Sequence, residues 1–307
     1  MNGILLINKE KGPTSHDVVA KVRRTLKMKK VGHMGTLDPA ATGILPLLLG
    51  KATRLSRYFI GADKSYRAVI RLGETTDTLD GDGTFLTKND VALEDGAIQR
   101  VVESFLGKQD QLPPMYSAKK IKGKRLYDLA RKGIEVEREP KKIEIKRLDI
   151  ESIEGRDITL VVDCTSGTYI RVLAADIGDR LGCGAYLAGL ERLRVGDFVL
   201  EDSVRIDQLS ESEGFKILSL GTALSGFVTL KLPRNLSTLV ARGHQLNASQ
   251  LLRLSLPSFG AEDVVVLVSE TAEPLAVTRA QVGHNELTSQ RPDQVILKSE
   301  CVLAPQP

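Results

Sequence analysis

The stretch that most limits the fold is Lys64 to Gly73, KSYRAVIRLG. Tyr66, Ala68, Ile70 and Leu72 fall on one face and Arg67, Val69 and Arg71 on the other, the period-2 pattern of a strand with one face in a core. Two further strand-like runs, KKIEIKRLDIESIE and DITLVVDCTSG, lead into the helix-like TYIRVLAADIGDRLG. Thr14 to Lys27 reads as a helix, since Thr14 or Ser15 can cap it and Val18, Val19, Val22 and Leu26 recur at helical spacing. LEDGAIQRVVESFLG (93–107) returns to a helical period, and PPMYSAKKIKGKRLYDLARKG (113–133) begins extended and ends as a helix. Gly73 to Thr84 reads as a polar, turn-rich loop. Long strands and helices without regular alternation predict an α+β fold with a mixed, mainly antiparallel sheet. After a Ser-rich connection around 201–230, pieces such as DVVVLVSE and EPLAVTRAQV predict a small β-rich second domain.

With 307 residues and 42 % hydrophobic content, the chain can bury a core of that size. No run approaches the roughly 18 apolar residues of a membrane helix, and MNGILLINKEKG has no long apolar segment after a basic start, so a cytoplasmic protein is expected. Cys164, Cys183 and Cys301 form no C-x-x-C pair and read as buried free thiols. His16, His33, His244 and His284 form no H-x-x-x-H pair, so no metal is expected.

Charge is unevenly spread. Residues 231–307 carry seven Lys+Arg and seven Asp+Glu, leaving 36 basic against 32 acidic residues in the first 230. KVRRTLKMKK (21–30) has six basic residues of ten and KKIKGKR (119–125) five of seven. Such local density either attracts a polyanion or forms a solvated face. Lys21, Arg23, Lys29, Lys30, Lys119 and Lys122 are the candidate contacts to such a polyanion, as is Lys9.

A phosphate loop is the first reading to exclude. Gly43-ILPLLL-Gly50-Lys51 places six bulky apolar residues between its glycines, and Ala52 stands where a metal-binding hydroxyl is needed. The informative string is His33-Met-Gly-Thr-Leu-Asp38-Pro-Ala-Ala-Thr-Gly43. Pro39 biases Asp38 toward an extended backbone, and the small residues around it let another molecule approach. On these residues alone Asp38 is either an Asx-turn residue or a catalytic carboxylate.

The string resembles the second motif of the TruB family of tRNA pseudouridine synthases, H-x-G-T-L-D-P-x-A-T-G, with its following G-x-A-T present as Gly50-Lys-Ala-Thr53. Further motifs of that family have counterparts in order: Lys9-Glu-Lys-Gly12-Pro-Thr14-Ser15, Lys64-Ser-Tyr66, Pro114-Met-Tyr116-Ser-Ala-Lys119, Gly167-Thr-Tyr-Ile-Arg171, and Leu190 with Arg194-Val-Gly196. The likeness spans about residues 1 to 200, and LPRNLSTLVARGHQL more weakly resembles the start of the family's PUA-like domain. Asn8, Glu10, Tyr186 and Glu191 depart from the pattern, and Glu191 would set a negative charge near the RNA surface.

The resemblance implies an enzyme that isomerises uridine 55 in the T loop of tRNA, with residues 1–228 as the synthase, an RNA-binding insertion at about 107–140, and 229–307 as the PUA-like domain. Asp38 would be the essential carboxylate, Arg171 its partner, Tyr66 a stacking surface and proton relay, Leu190 an apolar wall, and His33 the residue that fills the space left by the flipped base. The reaction breaks the bond from C1′ to N1 and joins C1′ to C5 without redox change, so no nucleotide cofactor, metal or obligate protein partner is expected. Two alternatives stand beside it: a tRNA-binding and folding protein on the same scaffold, and a guide-RNA-dependent member of the family.

Overall fold

The computed structural model describes all residues except 93, 118–119, 122–123, 131–132, 211–214 and 305–307. Its main element is a mixed sheet of eleven strands among the described residues. Along its main path run Val204–Arg205, Gly3–Lys9, Thr42–Leu49, Ala185–Val195, Lys64–Leu72, Asp157–Cys164, Lys141–Glu154 and Gly107–Gln111. Most neighbours are antiparallel; Thr42–Leu49 pairs in parallel with Ala185–Val195 at Thr42 and Gly43. A Cβ on Gly43 would lie 2.3 Å from the Arg192 carbonyl oxygen, so only glycine lets the two backbones meet there.

The alternation of Lys64–Leu72 does what its pattern predicts. Tyr66, Ala68, Ile70 and Leu72 join Leu160 and Val162 of the neighbouring strand in a core closed by Leu173 and Ile177 of the helix Ile170–Arg180. Helix Asp95–Glu103 covers the same face with Ile98 and Val102. On another side of the sheet, helix Ser15–Thr25 buries Val18, Val19 and Val22 against Leu5, Ile7, Leu45 and Leu47. Thr14 starts that helix with a reciprocal capping box: its hydroxyl accepts from the Asp17 amide at 3.1 Å, and Asp17 Oδ2 accepts from the Thr14 amide at 2.9 Å.

Two segments read as loop or connection are more ordered than their sequences imply. Within Gly73 to Thr84, the strand Glu74–Thr76 pairs with Phe85–Lys88. In the Ser-rich region, Val204–Arg205 and Ile217–Leu218 each pair with Gly3–Lys9. Strands of two residues are too short to show a period, so only tertiary pairing reveals them.

A second, five-stranded sheet begins at Val228 and holds Val264–Val268, Pro274–Ala280, Val295–Val302 and Leu246–Asn247. It is a small curled β unit of the PUA-like kind expected from the sequence. Val266, Val268, Val277 and Cys301 share a core with Ile4, Leu6, Ile44 and Leu55, so this sheet is packed against the first. Glu300 reinforces the contact, accepting from the Tyr58 hydroxyl at 2.5 Å and from Arg279 Nε at 2.8 Å, with Arg57 3.3 Å away. Cys164, Cys183 and Cys301 are buried free thiols, and no helix among the described residues is long and apolar enough to cross a membrane.

Candidate active site

Asp38 sits on the turn between strands Val31–His33 and Thr42–Leu49. Met34, Leu37 and Ala41 are buried and pin the turn into the core, while the Asp38 side chain is 54 % exposed. Polar anchors fix the backbone on either side. Ser15 Oγ donates to the Leu37 carbonyl at 3.0 Å and accepts from the Leu37 amide at 2.9 Å. The Lys9 ammonium donates to the carbonyls of Ala41 at 2.7 Å, Glu10 at 3.0 Å and Pro39 at 3.2 Å.

Lys9 was expected at the RNA surface, and the structure corrects this. It is 1 % exposed, and its three donors are directed at three carbonyls, so it holds the turn from below instead of meeting a phosphate.

Arg171 lies in the first turn of the Ile170–Arg180 helix and is buried. Its Nη2 is 3.3 Å from Asp38 Oδ2 and its Nη1 is 3.1 Å from Asp80 Oδ2, so one guanidinium bridges two carboxylates. Asp80 is itself held: its Oδ1 accepts from the Thr78 hydroxyl at 2.6 Å and from the Asp82 amide at 3.2 Å. A backbone bridge ties Asp80 to Leu187. Sequence reasoning missed Asp80. Its only signal is its place in the turn-rich segment GETTDTLDGDGT, where an aspartate reads as a turn residue.

Tyr66 is the buried third residue of the Lys64–Leu72 strand, and its cross-strand neighbour is Arg192. Burial pushes its phenol up to about 12, an effect that the nearby Arg192 charge opposes. Leu190 faces Ala68 across the same strand pair. It lines a cavity of about 290 Å³ together with Asp38, Ala41, Asp80, Asp82 and Tyr186. His33, Tyr66 and Arg171 are not on the wall of this cavity. A larger groove, about 840 Å³ along Lys108–Asp110 and Lys141–Glu144, contains none of the expected site residues.

The His33 ring meets the His16 ring edge-on, with centroids 5.5 Å apart. Its Nδ1 is buried without a hydrogen-bond partner among the described residues. Burial, then the neighbouring His16, lowers its proton affinity, so the ring is held neutral.

Lys21, Arg23, Lys29 and Lys30 are exposed on and just after the Ser15–Thr25 helix. Arg23 also spends Nη2 on the Val31 carbonyl at 2.7 Å. Lys119 and Lys122 lie outside the described residues.

The departures from the family pattern have local accounts. Glu191 is directed at Arg67 Nη1, 3.1 Å away, which also pairs with Glu151 through Nε at 2.7 Å. Its charge is met within the sheet. Glu10 pairs with Arg205, and Tyr186 packs edge-on against Phe85 with ring centroids 5.7 Å apart.

Comparison with known proteins gives the family. Residues 23–170 match the profile described as TruB family pseudouridylate synthase (N terminal domain). Residues 171–217 match that of a tRNA pseudouridylate synthase B C-terminal domain, which thus falls before the second sheet. A tRNA pseudouridine synthase B of Syntrophus aciditrophicus is 37 % identical over 292 residues, 94 % of each chain. One from Clostridium kluyveri is 47 % identical over 228 residues, 74 % of this chain and 79 % of that one. Among solved structures, a chain of a Cbf5-Nop10-Gar1 complex superposes with a TM-score of 0.76 at 26 % identity, covering 99 % of this chain and 85 % of that one. With the motif residues gathered around one turn and relatives of this identity over most of its length, the chain belongs to the TruB family of pseudouridylate synthases.

Proposed function

We propose that the chain is a tRNA pseudouridine synthase that isomerises uridine 55 of the T loop, with Asp38 as its essential carboxylate. The observation that carries this reading is the bridge from Asp38 through Arg171 to Asp80 at the edge of an open cavity. A carboxylate that attacks C1′ or C6, or assists loss of a sugar proton, must be exposed to substrate yet fixed in place. Asp38 meets both needs, because its side chain is half exposed while the turn is anchored through buried Leu37 and Ala41 and its partner arginine is buried.

The other roles follow the same logic. Tyr66, buried and off the wall of the cavity, becomes the flat surface for the flipped uracil once bound RNA opens the pocket to it and, as a neutral phenol, a proton donor late in the reaction. Leu190 closes the pocket with an apolar side chain. His33, a neutral and only half-buried ring, is suited to contact RNA with its exposed edge where the base has left its stack, which offsets part of the few kcal/mol of unstacking. Lys21, Arg23, Lys29 and Lys30 are backbone contacts that position the T stem-loop and carry no sequence information.

Division of the chain into a synthase (1–228) with an RNA-binding insertion at about 107–140, and a PUA-like unit (229–307), belongs to this reading and is supported by the start of the second sheet at Val228. So do action in the cytoplasm on tRNA alone and the absence of a guide RNA. The test is site-resolved pseudouridine mapping on an unmodified tRNA transcript incubated with the purified chain. Conversion at position 55, abolished by placing cytidine there, supports the reading. Conversion elsewhere, or only with added guide RNA, overturns it.

A further inference from the structure

Arg192 is among the largest fully buried side chains, at 1 % exposure. Removing a guanidinium from water is expensive, and arginine does not escape the cost by losing its proton. Its hydrogen bonds go to carbonyls: Nε to Ile44 at 2.9 Å, Nη1 to Thr36 at 3.3 Å and Nη2 to Gly35 at 3.2 Å. Gly35 and Thr36 enter the Asp38 turn, and Ile44 follows it. Arg192 also lies directly across the strand pair from Tyr66, and its charge acts on the Tyr66 hydroxyl.

We propose that Arg192 is a positioning residue of the isomerisation: one guanidinium fixes the Tyr66 hydroxyl and both ends of the Asp38 turn relative to each other. This rests on the assignment of Asp38 and Tyr66 given above. Between the buried Met34 and Leu37, Gly35 adopts φ +117° without a side chain and Thr36 is exposed, so at these two residues it is the guanidinium, bonded to both carbonyls, that holds the backbone. Asp38 and Tyr66 come from different strand ends, and an error of about 1 Å between reacting groups costs on the order of a hundredfold in rate.

The residue type also matters. Lys64, a second buried cation near Gly35, donates to the carbonyls of Ala62 at 2.7 Å and Ile60 at 3.4 Å, and burial lowers it to about 8. A lysine at position 192 would face the same desolvation and lack the planar fork. Arginine keeps its charge and donates to three carbonyl oxygens from one rigid fork.

The experiment is a double-mutant cycle on the full chain with unmodified tRNA transcript, comparing wild type, Arg192→Lys, Tyr66→Phe and the pair. Arg192→Lys is expected to lower kcat about 10- to 100-fold with KM within about threefold. The pair is expected to be no more than about threefold slower than the slower single variant, because both changes break one arrangement. Full kcat in Arg192→Lys, or losses that multiply in the pair, would overturn the proposal. If Arg192→Lys does not fold, Arg192→Gln takes its place under the same criteria; failure of both to fold makes Arg192 a residue of the fold alone and also overturns it. An inactive wild-type chain would instead strike the underlying site assignment, and is seen without any variant.

Discussion

Arg171 Nη2 stands 3.3 Å from Asp38 Oδ2, joining the first turn of a buried helix to an exposed turn of the sheet. The contact is one-sided in solvent terms, with the arginine side chain 10 % exposed and the aspartate 54 %. The arginine is the fixed partner, and Asp80 is what fixes it.

Asp80→Asn should therefore reduce activity through Arg171. The amide retains the hydrogen bonding of the loop but removes the charge that faces Arg171 Nη1 at 3.1 Å. Hydrogen bonds to charged groups contribute about 1.5–3 kcal/mol, so kcat should fall roughly 10- to 100-fold. Single-turnover kinetics beside a filter-binding titration checks this. Unchanged turnover would show that Arg171 holds its position without Asp80.

Lys9→Met separates a support for the turn from a contact to RNA. The substitution leaves the carbonyls of Pro39 and Ala41 without their ammonium donor, which should cost about 1–3 kcal/mol of stability and slow catalysis. The slope of log K against log salt for tRNA binding should stay at the wild-type value, whereas Lys21→Ala or Lys30→Ala should reduce it by about 1 for each phosphate no longer neutralised. A shallower slope in Lys9→Met would contradict the buried role.

Lys64 gives a pH signature. Its folded-state pKa is lowered to about 8 from 10.5 by burial, helped by the Arg192 charge. Between those values the unfolded chain binds more protons than the native one, so native stability rises with pH. Below pH 8 both states are protonated and the burial penalty is fully present. The stability of wild type minus that of Lys64→Met should thus increase from about pH 7.5 to about pH 9.5 in urea unfolding. A flat difference would mean that Lys64 keeps its proton throughout.

Much of the scaffold was legible because its signals are local. The Thr14 cap and the valines at 18, 19 and 22 mark a helix, and the alternation from Tyr66 to Leu72 marks a half-buried strand. The site was legible where a motif string carried it, at Asp38 and Arg171. Asp80 was hidden because its partner is far along the chain and its own neighbourhood looks like an ordinary turn. Arg192 was hidden because a basic residue on a strand reads as exposed, and the close backbone approach that seats it is allowed by Gly43 of a distant segment. Lys9 was misread for the same reason. Burial of a cation depends on where carbonyls converge, and no sequence period records that.

The central claim, that Asp38 is the catalytic carboxylate, is tested most directly by comparing wild type with Asp38→Asn on unmodified tRNA, measuring pseudouridine formation and binding together. The change is nearly isosteric and leaves the buried anchors of the turn in place. Binding within about threefold of wild type, with no pseudouridine above background, is the predicted result. Retention of substantial isomerase activity by Asp38→Asn would contradict the account.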